Sequence, residues 1–160
     1  MLDVHILCVG KLKERFYTEA AAEYVKRLGG YCRLTLTELP EERLPKSPSR
    51  AQIDAALEKE AAAVRAKLPP GSSLVALCVE GELRSSEALA RQMADWAGQV
   101  VSQLVFLIGG SFGLPPSIKA EAKLRLSMSP MTFPHHLARV MVLEQIYRAY
   151  QINAGGKYHK

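Results

Sequence analysis

Side chains able to do chemistry gather toward the end of the 160-residue sequence. The tail Gly155-Gly156-Lys157-Tyr158-His159-Lys160 places a phenol and an imidazole just past a helical stretch. Both groups can stack on or hydrogen-bond a nucleotide, although fraying is the ordinary fate of such a segment. Glu144 and Arg148 stand four residues apart in the order that favours an intrahelical ion pair, worth roughly 0.3 kcal/mol. His135 and Arg139 share that spacing and so share a helix face.

Two connections could hold a ligand. Gly109-Gly110-Ser111-Phe112-Gly113 ends an apolar run, and its glycines either let backbone amides approach a ligand or permit a tight turn. Met128-Ser129-Pro130-Met131-Thr132-Phe133-Pro134 is apolar, sulfur-rich and twice interrupted by proline. It reads equally as a slot for a flat heterocycle and as a loop that plugs the core. G-x-G-x-x-G, G-x-x-x-x-G-K-[ST], H-E-x-x-H and paired C-x-x-C are absent, which withdraws support from dinucleotide, phosphate-loop and metal sites.

Strands and helices in alternation must position these groups. Asp3–Val9 reads as a buried strand ended by Gly10, and 14–28 as a helix with Phe16, Ala20, Tyr24 and Leu28 at every fourth position. Arg33–Leu39 is a second strand, followed by a loop with Pro40, Pro45 and Pro48 that is a candidate mobile segment. Ser49 and Gln52 have capping-box spacing, so a helix is expected from there to about Lys67, before Pro69-Pro70-Gly71. Residues 74–79 form a third strand, Ser86–Gly98 a helix capped by Ser85, and 100–108 contain a fourth strand. A short helix over 116–122, a fifth strand over 124–128 and a closing helix over 136–154 complete the chain. Short apolar strands alternating with helices predict a three-layer α/β fold with a mostly parallel sheet, one domain over residues 1–160. The closing helix carries Val140, Met141, Val142 and Leu143 in succession. A helix apolar on nearly all sides is buried on nearly all sides, by a second subunit or deep inside one protomer.

The formal charge is +5, and residues 117–160 hold seven basic and two acidic side chains, an excess equal to that of the whole chain. Lys119, Lys123, Arg125, Arg139, Arg148, Lys157 and Lys160 are thus candidates to gather polyanion phosphate. The start of the chain has no basic n-region or long apolar stretch, and no apolar run approaches the roughly 20 residues of a membrane helix, so a soluble cytoplasmic protein is expected. Cys8, Cys32 and Cys78 are odd in number and widely spaced, so Cys8 and Cys78 are expected as buried free thiols.

Taken together, Leu107-Ile108-Gly109-Gly110-Ser111-Phe112-Gly113-Leu114, Ser127 through His135, Glu144-Gln145-Ile146-Tyr147-Arg148-Ala149-Tyr150 and Tyr158-His159 resemble the RlmH family. These are SPOUT-superfamily ribosomal RNA large-subunit methyltransferases that act on N3 of a pseudouridine. The resemblance spans essentially the whole chain. It implies a C-terminal trefoil knot, a homodimer, S-adenosylmethionine as methyl donor without a metal, and ribosomal RNA in the large subunit or whole ribosome as partner, with neither membrane nor DNA. It places the donor against Leu77, Gly109, Met128, Ser129, Pro130, Met131, Thr132 and Phe133, and makes His159, Tyr158 and Arg148 the catalytic candidates. His135, Arg139, Glu144 and Lys157 are then expected on the substrate side. Phe112 departs from the family, where a small or polar residue is common. The competing readings are a nucleotide-binding enzyme acting on a small molecule and a noncatalytic ribosome-associated factor.

Overall fold

The computed structural model describes residues 1–99 and 101–160. Among the described residues, five strands and five helices alternate: β1 (Asp3–Val9), α1 (Arg15–Leu28), β2 (Arg33–Leu39), α2 (Arg50–Lys67), β3 (Ser73–Leu83), α3 (Ser86–Gly98), β4 (Gln103–Ile108), α4 (Pro116–Ala120), β5 (Leu124–Ser127) and α5 (His135–Asn153). Val100, which opened the predicted fourth strand, lies outside the described residues. The strands pair in the order β2-β1-β4-β3-β5, every strand pairing is parallel, and a helix makes each crossover that parallel neighbours require.

Helices cover both faces. Val4, Ile6, Leu104 and Phe106 point into a core shared with α1, α3 and α5, while Leu7, Val9, Val105 and Leu107 alternate into a second core under α2 and α4. Both sides of β1 and β4 are therefore buried, as their continuous apolar runs anticipate. The element ends follow from local chemistry. Ser49 accepts the Gln52 backbone N–H while the Gln52 side chain accepts the Ser49 N–H, closing the capping box of α2. Ser85 caps α3 through the Ala88 N–H.

One strand boundary changes. Strand β3 runs to Leu83, beyond Val79, because its last residues pair with β5 after a register shift between Leu77 and Glu82. Gly81 permits this approach: a Cβ there would lie 2.7 Å from the carbonyl oxygen of Arg125. The apolar circumference of α5 is only partly covered within one protomer: α1 and α3 flank it, Tyr158 packs edge-on against Tyr147, and Val142, Leu143, Ile146 and Ala149 are buried, whereas Val140 and Met141 are half-buried. Cys8 and Cys32 are buried thiols, whereas Cys78 is half-buried midway along β3.

Candidate active site

Beyond the carboxyl ends of β3, β4 and β5 lies a cavity of about 580 Å³. That volume is within the roughly 300–1,000 Å³ of small-molecule sites. Leu77, Gly109, Met128, Ser129, Met131, Thr132 and Phe133 all line it, while Pro130 of the same loop does not. Three segments remote in sequence thus converge because parallel strands end at one edge of the sheet. The loop after β5 holds its own shape: Ser127 Oγ donates to the Ser129 carbonyl at 3.0 Å, and the Met131 N–H donates to Ser129 Oγ at 3.0 Å.

The glycine turn is required by the protein's own contacts. A Cβ on Gly109 would lie 2.5 Å from the Gly113 carbonyl oxygen, and Gly113 itself has φ of +77°. A Cβ on Gly110 would lie 2.6 Å from Glu41 Oε1, the same oxygen that accepts the Ser111 N–H at 2.7 Å. The turn also spells G-x-S-x-G, a hydrolase nucleophile pattern, yet Ser111 has no positive φ and is not hydrogen-bonded to a histidine among the described residues. It lacks the strained, base-paired serine that such an elbow needs.

His135 opens α5 at the cavity wall. Its Nε2 is buried without a partner, and burial together with neighbouring His136 holds its pKa below the ordinary value, so the ring is neutral near pH 7. Arg139, expected on the substrate side, is instead 2% exposed; its guanidinium donates to Glu38 Oε2 at 2.7 Å and to the Gly10 carbonyl at 3.0 Å. It braces α5 against the ends of β1 and β2. Burial works against the Glu38 carboxylate, but Arg139 and the Leu12 N–H outweigh it and keep its pKa below the ordinary range.

A second cluster forms farther along α5. Glu144 Oε1 accepts Arg148 Nη2 at 2.7 Å, Arg148 Nε at 3.0 Å and the Tyr158 hydroxyl at 3.2 Å. Arg148 lies over the Tyr158 ring, 4.7 Å from its centroid, and contacts His159 Nδ1 at 3.2 Å. His159 Nε2 is 2.7 Å from Glu87 Oε1 at the start of α3. The tail is therefore folded back and ordered by contacts. Both imidazole nitrogens are engaged: an arginine N–H can only donate to Nδ1, so Nε2 carries the proton given to Glu87. Burial, Tyr24 and Glu144 raise the Tyr158 pKa, keeping its hydroxyl protonated. Lys157 is exposed.

The structure thus brings the expected residues together in two groups. His135 and Arg148 are thirteen positions apart on one helix. At about 1.5 Å per residue the cavity and the tail cluster lie roughly 20 Å apart within a protomer. Sequence reading missed Glu41, Glu87 and the Lys119–Glu80 ion pair, because nothing in local spacing links a charge to a partner dozens of residues away. Among the described residues, no cluster of three or more His, Cys, Asp or Glu could hold a metal ion. No described helix is long and apolar enough to cross a membrane.

An all-parallel, helix-covered sheet with an apolar cavity at its carboxyl edge, walled by a glycine turn and a proline-interrupted loop, defines a ligand-binding α/β protein. The sequence profile of the family described as "Predicted SPOUT methyltransferase" matches residues 2–159, and the chain belongs to that methyltransferase family, for which a knotted C-terminal part is implied. A solved methylase-family protein of Haemophilus influenzae Rd KW20 has a similar fold, with a TM-score of 0.54 and 14% identity over 98% of this chain and 70% of its own. Weaker likenesses are to the SpoU methyltransferase AviRb of Streptomyces viridochromogenes, solved with AdoMet (TM-score 0.47, 14% identity, 96% of this chain and 58% of that chain). A methyltransferase of Legionella pneumophila solved with SAM gives a TM-score of 0.48 at 15% identity, over 97% of this chain and 67% of its own.

Proposed function

We propose that the protein is a homodimeric, single-domain enzyme that methylates N3 of a pseudouridine in large-subunit ribosomal RNA, using S-adenosylmethionine. The observation that carries this reading is the convergence of Leu77, the glycine turn and the Met128–Phe133 loop on one cavity, in a chain of the SPOUT family. Their chemistry suits that donor. Met128, Met131 and Phe133 offer polarisable surface for a purine, and the turn offers backbone donors and acceptors. When bound, S-adenosylmethionine supplies an electrophilic methyl group on a sulfonium.

The residues of the chain have separable tasks. The cavity loop orients the donor and excludes water, which favours in-line displacement by a ring nitrogen. Arg148, held in place by Glu144, is the cation able to stabilise negative charge on the pyrimidine once its imide proton leaves. His159 can take the imide proton at Nδ1 only after giving up its Arg148 contact, because Nε2 already carries the proton given to Glu87; in the folded-back state it presents the nucleotide with an ordered edge and no free lone pair. A second copy supplies the missing half: its tail would sit at this protomer's cavity, whose mouth exposes Val79, Phe112 and Met131. RNA docking would use the exposed Arg125, Lys157 and Lys160.

The testing experiment incubates the protein and methyl-labelled S-adenosylmethionine with ribosomes, isolated subunits and naked RNA from a strain lacking the enzyme, then maps the labelled base. Label at N3 of a large-subunit pseudouridine is expected. Absence of label from every RNA fraction refutes the reading.

A further inference from the structure

The cavity wall carries two fully charged side chains among its described lining residues, Glu80 on β3 and Lys119 on α4, and they form an ion pair across its rim. The remaining wall is apolar side chain, small hydroxyl or thiol, backbone and the neutral His135. The pair is half-open to water: the Lys119 side chain is 21% exposed and that of Glu80 is 60% exposed. The ammonium of Lys119 keeps the Glu80 pKa below the ordinary carboxylate range, so the carboxylate is ionised near neutral pH.

We propose that Lys119 and Glu80 form a subsite for the zwitterionic amino-acid end of the donor, Lys119 meeting its α-carboxylate and Glu80 its α-ammonium. The proposal rests on the reading that S-adenosylmethionine occupies this cavity. A purine and a sulfonium can enter an apolar slot, but an amino acid carries two opposite charges that stay in water or meet counter-charges. The rim offers both signs side by side. The pair is also free to exchange partners, because a solvent-facing ion pair holds its members weakly. Its net charge is zero, so it admits a zwitterion without the repulsion that a lone lysine or glutamate would impose on one end. Lys119, read from the sequence as an RNA-facing cation, is thereby assigned to the donor.

The test compares two ligands that share the nucleoside and thioether but differ at this end: S-adenosylhomocysteine carries the amino acid, and 5′-methylthioadenosine does not. Calorimetry of the full-length protein is expected to show S-adenosylhomocysteine binding roughly tenfold more tightly, the worth of a charge-assisted contact. Lys119→Met keeps the aliphatic stem and Glu80→Gln the shape. Each is expected to remove most of that preference while leaving the affinity for 5′-methylthioadenosine within about twofold of wild type. Equal loss for both ligands, or no loss for either, overturns the subsite. If the unmodified protein binds neither ligand, the donor reading of the cavity falls and the subsite with it, an outcome distinct from losing the preference alone.

Discussion

Neutralising the carboxylate that faces Arg139 would leave a buried guanidinium without a counter-charge, held by neutral acceptors such as the Gly10 carbonyl. Glu38→Gln is expected to destabilise the protein by about 2 kcal/mol in urea denaturation, less than for a fully buried pair because the Glu38 side chain is 32% exposed. The same pair sets an acid limb. Folded Glu38 holds its proton less tightly than the unfolded residue, so its contribution is complete above the ordinary value of 4.5 and is lost as pH falls through the lower folded value. A plot of thermal midpoint against pH should lose part of its acid slope in Glu38→Gln. At the tail, His159→Ala is expected to lower the turnover number at least tenfold while donor affinity by calorimetry stays unchanged. The sequence placed His135 and Arg139 on one face of α5, which is correct, but the rest was not legible. A long basic side chain reads as exposed until the fold brings a carboxylate from another strand to meet it.

Element ends were legible where a local rule writes them. The Ser49 and Gln52 spacing names the start of α2, and Ser49→Ala should cost about 1 kcal/mol of stability in denaturant titration. Strand β3 was read short because Glu80-Gly81-Glu82 breaks the apolar pattern, whereas pairing with β5 and the missing Cβ of Gly81 carry it onward. The glycine turn shows a different gap. Its sequence announces a turn, but not the carboxylate packed against Gly110, which comes from Glu41 in the proline-rich loop after β2. That loop is anchored: Glu41 accepts the Ser111 N–H, and Glu60 of α2 accepts the Glu42 N–H at 2.8 Å. Glu41→Ala should loosen the turn and weaken donor binding several-fold with little change in melting temperature. Glu41→Gln, which still presents an oxygen to the Ser111 N–H, should restore it.

Across the molecule, the basic surplus of residues 117–160 proves less available than its count suggests. Arg139 is buried, Arg148 is paired with Glu144 and Lys119 with Glu80, while Lys123, against the Trp96 ring, and Arg125 are exposed. Lys157 and Lys160 remain exposed beside the tail cluster, so changing either to Ala should reduce the slope of log affinity for ribosomes against log salt by about one. The fold class was legible from strand and helix alternation, and the cavity residues from family resemblance. The return of the tail onto Arg148 and Glu87 was not, because no local spacing links His159 to a partner on α3. One measurement bears most directly on the claim that two protomers share each catalytic centre. Thr132→Trp, which fills the cavity mouth, and His159→Ala, which alters the tail, are each assayed alone on ribosomes and then after unfolding and refolding together. Each alone should retain no more than about a tenth of wild-type methylation, and the mixture should regain about a quarter, since half the dimers are mixed and each mixed dimer holds one intact centre. A mixture that exchanges subunits and yet stays as inactive as its components would contradict the account.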